Sequence, residues 1–198
     1  MVSKIILASS SPRRIDILKT IGLNIEVRVP IVEEEEVFHK YDDPIKIVTE
    51  LSSKKAHSVW KPKDKTPIVA ADTIVYIKNH ILGKPKNVEQ VKEMLKLLSG
   101  KVHEVYTGFT IIDPKVNRAV NDYEVTKVKF RELSEKDIQW YISTGEPFGK
   151  AGSYAIQGKV AIFVEWINGD YFNVVGFPII KFIKALGMLG YTIYEFIK

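Results

Sequence analysis

Residues 68–77 read Ile68-Val69-Ala70-Ala71-Asp72-Thr73-Ile74-Val75-Tyr76-Ile77. Apart from Asp72 and Thr73 the run is apolar on both alternating faces. That is the pattern of a central strand covered on both sides by helices, and it predicts an α/β protein. A carboxylate in such a strand loses several kcal/mol to desolvation unless a cation or donors face it, so Asp72 requires a partner. Alternation sets Asp72 on the face of Ile68 and Ala70, and the small Ala70 leaves room for a ligand beside it. Two readings are open at this point: a structural aspartate bonded to a neighbouring backbone turn, or a metal ligand or general base.

Upstream, a short strand from Lys4 to Leu7 runs into Ala8-Ser9-Ser10-Ser11-Pro12-Arg13-Arg14. Ser11 is a good N-cap and Pro12 suits the first helical position. A helix start beside three hydroxyls and two guanidinium groups suits an anion, phosphate best of all; the alternative is an ordinary helix start with solvated arginines. Ile15, Leu18 and Ile21 share a helical face, Gly22 ends it, and a strand over residues 25–29 follows. Strand, helix and strand with short joins open an α/β sheet. Glu33-Glu34-Glu35-Glu36 is expected in a loop, as a solvated run or with one carboxylate turned inward as a metal ligand. Pro44 opens a helix with Ile45, Val48, Leu51 or Ser52, Ala56 and Val59 inward; Lys54 and Lys55 read by themselves as surface stems.

Downstream, Lys78-Asn79-His80 is a hairpin tip, and Gly83-Lys84-Pro85 holds Lys84 at a defined place. A helix from Val88 ends at Ser99-Gly100, two long β segments cover residues 102–112 and 119–131, and Ser134 with Asp137 caps a further helix. Gly145 to Gly158 is a long glycine-rich loop whose Phe148, Tyr154 and Ile156 argue against disorder. Gln157 within it reads either as a contact to a nucleobase edge or as a turn-stabilising side chain. A hairpin over 160–167, turning at Asn168-Gly169 and returning through 171–175, and a last helix over 179–189 complete the expected elements.

At 198 residues, 45% hydrophobic and 27% charged, the chain can bury a substantial core, and one domain over 1–198 is the default. The absence of cysteine excludes a thiolate zinc site, a disulfide framework and a cysteine nucleophile. His39, His57, His80 and His103 lack ligand spacing, which argues against zinc or a Ser-His-Asp triad. The net charge of +5 is spread over dispersed lysines, favouring a nucleotide over a long nucleic acid. No apolar run approaches a membrane span, and a cytoplasmic location is expected. Neither a P-loop nor a G-x-G-x-x-G after a strand occurs, so any phosphate is handled by another device.

Six blocks in order carry a resemblance: Ser9 to Arg14; Ala70-Ala71-Asp72-Thr73; Gly83-Lys84-Pro85; Ser99-Gly100 with His103 and Thr107-Gly108; Lys150 to Gly158; and Asn173-Val174-Val175-Gly176-Phe177-Pro178. Together they resemble the Maf family, the septum-formation-inhibitor-like nucleotide pyrophosphatases. The resemblance implies a mixed twisted sheet flanked by helices, with a substrate cleft between lobes. It also implies a fold similar to inosine-triphosphate pyrophosphatases and, often, a homodimer. The implied activity is hydrolysis of a nucleoside triphosphate to the monophosphate and pyrophosphate with Mg²⁺ or Mn²⁺. The Ser-Pro-Arg-Arg and Ile-Gln-Gly blocks are similar to the branch acting on dTTP and UTP. By position, Asp72 takes the catalytic and metal-binding role, and Arg13, Thr73 and Gln157 the specificity positions. Ser9, Arg14, Glu34, Lys55 and Lys84 line the phosphate and metal cleft, with Glu34 the metal ligand and Glu33 competing for its place. Phe177 stands where leucine is usual. A nucleotide-binding regulator of septum formation, with hydrolysis incidental, is the alternative, and no nucleic acid or membrane partner is expected.

Overall fold

The run at Ile68–Ile77 forms the long strand its pattern predicts, buried everywhere except at Thr73 and Tyr76, which are half-buried. The structure is a computed structural model that describes residues 3–198. In chain order its elements are β1 (Ile5–Ala8), α1 (Pro12–Thr20), β2 (Ile25–Arg28), α2 (Glu34–Lys40), α3 (Pro44–Val59), β3 (Ile68–Ile77), β4 (His80–Leu82), α4 (Val88–Leu98), β5 (Val102–Asp113), β6 (Arg118–Phe130), α5 (Glu135–Ser143), β7 (Val164–Asn168), α6 (Tyr171–Val175) and α7 (Ile179–Met188). Short 3₁₀ turns occupy Ala151–Ser153, Lys159–Phe163 and Ile193–Glu195. The strands follow the order β2-β1-β3-β5-β6-β7, with β4 paired to β3. β1 runs parallel to both β2 and β3, while β3–β4 and β6–β7 are antiparallel, so the sheet is mixed.

Two compact units divide the chain: residues up to Asp72 with Thr107–Glu124 and Gly176–Lys198, and Thr73–Tyr106 with Val125–Val175. β3 crosses from one to the other between Asp72 and Thr73. In the first unit, Ile6 and Ala8 of β1 and Ile68 and Ala70 of β3 pack with Ala56 and Val59 of α3 and with Ile112. Ala70 is fully buried in that cluster. Its small side chain therefore serves close helix–strand packing and does not open space for a ligand, as its size had suggested. α1 ends in a Schellman arrangement: Gly22 has φ +80°, its N–H donates to Lys19 O, and Leu23 N–H donates to Leu18 O. Ser11 is the N-cap by position, but its hydroxyl makes no cap bond; Ser9 Oγ accepts the Ser11 N–H instead, at 3.1 Å.

Three expectations change. The glutamate run is not a loop: α2 starts at Glu34 behind Glu33, and acidic residues in a first turn suit the helix dipole. Ile47, which the apolar spacing had passed over, is buried on α3, and Ile45 is only half-buried. The expected hairpin ending at 171–175 is a strand followed by a helix, and β7 pairs with β6. The Asp170 side chain accepts the Phe172 N–H at 2.8 Å, and Thr126 Oγ1 both accepts the Asp170 N–H and donates to Asp170 O. The buried Asn173 donates to Val105 O and to Thr126 Oγ1. These bonds fix a helical turn despite aromatic and β-branched residues that favour strands, an instance of context overriding β propensity.

Candidate active site

Lys55 settles what faces Asp72. The ammonium lies on α3, as buried as the core at 8% exposure, and Asp72 on β3 is 7% exposed. Lys55 Nζ donates to Asp72 Oδ1 and, at 2.7 Å, to Glu34 Oε1. Lys55 is therefore not a surface stem; that description fits Lys54, whose half-exposed chain reaches Glu36 at 3.4 Å. Helical spacing explains the difference. Lys55 stands three residues after Ser52 and four before Val59, on the buried face of α3, whereas Lys54 is off it. The same geometry selects among the glutamates: Glu34 is half-buried and reaches Lys55, while Glu33, Glu35 and Glu36 are exposed.

Two carboxylates against one ammonium leave this trio net negative, and Arg14 contributes the compensating field. Burial lowers the Arg14 pKa from its usual value; Asp72 raises it, Arg13 lowers it and Glu34 raises it, and the guanidinium remains a cation throughout. Arg14 Nε is fixed by Gly176 O at 2.8 Å, which ties the start of α1 to the turn before α7. Ser9 is buried at the end of β1, its N–H donating to Arg28 O, while Arg13 is half-buried in the first turn of α1. The first unit thus gathers Glu34, Lys55 and Asp72 by direct contact, with Arg14 coupled to two of them.

Thr73, Lys84 and Gln157 belong to the second unit. Thr73 is half-buried; Lys84 and Gln157 are exposed. Tyr154, Ala155 and Ile156 are buried and anchor the loop just before Gln157. Gly152 N–H donates to Gly83 O, so this loop is tied to the Gly83-Lys84-Pro85 turn, and an added Cβ at Gly152 would lie 2.7 Å from Val75. His103 Nε2 lies 2.7 Å from the Tyr154 hydroxyl, a link that scattered histidines in a sequence do not reveal.

Among the described residues no group of three His, Asp or Glu side chains converges as a self-sufficient metal cage. The donor set nevertheless fits a hard divalent ion of the Mg²⁺ kind. Such an ion keeps several waters and is commonly held by one or two carboxylates together with substrate phosphates, and Glu34 and Asp72 supply two carboxylates on one ammonium. Among the described residues no helix is long and apolar enough to cross a membrane.

Comparison with known proteins places the whole chain among named relatives. The chain is 47% identical over 185 residues to a dTTP/UTP pyrophosphatase of Bacillus cytotoxicus, covering 93% of this chain and 95% of the relative. A dTTP/UTP pyrophosphatase of Bacillus cereus is 48% identical over 92% of this chain and 94% of its own, and one of Alkaliphilus metalliredigens 46% identical over 93% and 95%. The Ham1 protein of Staphylococcus aureus aligns with 65% of this chain and 72% of its own at 13% identity and a TM-score of 0.38, too distant to add to the fold described above. The model of the family described as Maf-like protein matches residues 4–189, from β1 through α7, and the chain belongs to that family.

Proposed function

We propose that the protein is a nucleoside triphosphate pyrophosphatase that hydrolyses dTTP and UTP to the monophosphate and pyrophosphate. The observation that carries this reading is the buried Lys55–Asp72 pair, joined by the half-buried Glu34 and coupled to Arg14, in a chain with relatives named dTTP/UTP pyrophosphatase over most of its length.

Hydrolysis of a phosphoanhydride needs charge neutralisation, a placed water and a proton acceptor. In this reading water attacks the α-phosphorus, the bond from that phosphorus to the α–β bridging oxygen breaks, and pyrophosphate departs with the electron pair. Asp72 accepts the proton of the attacking water, and Lys55 holds its carboxylate in place. Arg14, Lys84 and Ser9 bind phosphate oxygens; Arg13, Thr73 and Gln157 select the base. Glu34 and Asp72 would hold Mg²⁺ or Mn²⁺, which when bound supplies charge neutralisation at the phosphates. The enzyme works in the cytoplasm on free nucleotides, in a house-cleaning role.

The test is incubation of the protein and Mg²⁺ with dTTP, UTP, CTP, GTP, ITP and 7-methyl-GTP, with pyrophosphate and orthophosphate measured separately. Pyrophosphate from dTTP and UTP is expected. Orthophosphate alone would move the attack to the terminal phosphate, and no release from any nucleotide would overturn the reading.

A further inference from the structure

Glu146 is a carboxylate of the second unit that the reaction described above does not use, yet both its carboxylate oxygens accept hydrogen bonds. It stands just after the end of α5. Its Oε1 accepts the Tyr141 hydroxyl at 3.0 Å, and its Oε2 accepts the Lys159 backbone N–H at 2.9 Å. Its main-chain oxygen accepts Lys150 Nζ. One residue thus joins the last turns of α5 to both sides of the segment 147–159 that bears Gln157.

Gly158, the residue after Gln157, supplies an independent sign of this design. Its backbone sits at φ −101° and ψ −157°, outside the left-handed region, so no positive φ demands glycine there. Space does: a Cβ would fall 2.2 Å from Glu146 Oε1 and 2.5 Å from its Cδ. Moving that carboxylate aside would break its bonds to the Tyr141 hydroxyl and the Lys159 N–H. Burial, and after it the Glu146 charge, push the Tyr141 phenol up from its usual value, which keeps its proton in place as the donor.

We infer that Glu146 is a positioning residue for nucleotide selection: bridging Tyr141 and Lys159, it fixes the backbone on which Gln157 meets the base. The inference rests on the functional reading above, in which Gln157 is the base-selecting side chain. Gln157 itself is exposed, so its aim depends on the backbone that carries it.

Steady-state kinetics with dTTP and dGTP on the wild type, Glu146→Ala, Glu146→Gln, Gly158→Ala, Gln157→Ala and the pairwise combinations test this. Glu146→Ala is expected to raise KM for dTTP about tenfold with kcat little changed, and to lower the dTTP preference over dGTP. Glu146→Gln is expected to restore most of both values, since its one carbonyl can accept the Lys159 N–H while its amide donates to the Tyr141 oxygen. Gly158→Ala should resemble Glu146→Ala and add nothing in its background, where the colliding carboxylate is gone. Glu146→Ala should likewise add little in the Gln157→Ala background. An equal loss on both nucleotides, no rescue by glutamine, or additive effects of Glu146→Ala and Gln157→Ala would each overturn the inference while leaving the pyrophosphatase reading intact. A wild type inactive on dTTP and UTP would overturn both.

Discussion

Burial lowers the His103 imidazole to a pKa of about 3, for it is 1% exposed beneath the rings of Phe130 and Tyr154. Its Nε2 meets the Tyr154 hydroxyl, and among the described residues no charged partner repays protonation. In the unfolded chain the same group titrates near the ordinary 6.5. Between these values the unfolded state binds the extra proton, so the contribution to stability is complete above pH 6.5 and lost as pH falls towards 3, at roughly 1.4 kcal/mol per pH unit. Urea midpoints measured from about pH 7 to pH 4.5 are expected to fall for the wild type and to fall less steeply for His103→Gln; equal slopes would assign the acid sensitivity elsewhere. At this scale the sequence reading of Asp72 was physically forced, because a buried carboxylate needs a partner. The partner was not legible by itself: Lys54 and Lys55 look alike until the phase of α3 is known, and the four glutamates look alike until α2 begins at Glu34.

The placement of Lys55 depends on α3 lying close against β5. A Cβ at Gly108 of β5 would stand 2.5 Å from the carbonyl carbon of Val48 and 2.6 Å from its oxygen, main-chain atoms of α3 that cannot rotate aside. Ser52 Oγ and Thr110 Oγ1 hydrogen-bond at 2.9 Å within the same contact. Gly108→Ala is therefore expected to destabilise the fold by about 1–3 kcal/mol, the usual range for overpacking, and to reduce turnover as Lys55 is carried away from Asp72. Gly187→Ala is the control, since its Cβ meets nothing within 4 Å in a helix; it is expected to leave activity unchanged and to raise the thermal midpoint slightly. Elements set by local signals were legible from sequence, among them the Ser134–Asp137 capping box and the Lys78-Asn79 turn with both residues at positive φ. The helix at Tyr171–Val175 was not, because Thr126 and Val105, far away in sequence, hold its turn.

For the molecule as a whole, the formal charge of +5 supplies a long-range attraction for a polyanionic nucleotide that salt screens. Raising sodium chloride from about 50 mM to about 500 mM is expected to increase KM for dTTP several-fold while changing kcat much less; a KM indifferent to salt would remove net charge from the account. The motif blocks were legible along the whole chain, yet the division between Asp72 and Thr73 was not, because β3, β5 and β6 each contribute to both units through pairings that local pattern does not encode. The account as a whole rests on Asp72 as the proton acceptor held by Lys55. The most direct measurement is kcat for dTTP of Asp72→Asn beside the wild type, with thermal unfolding of both. A loss of about 10²–10⁴-fold in a variant that still unfolds cooperatively is predicted; near-normal turnover by folded Asp72→Asn would contradict the account.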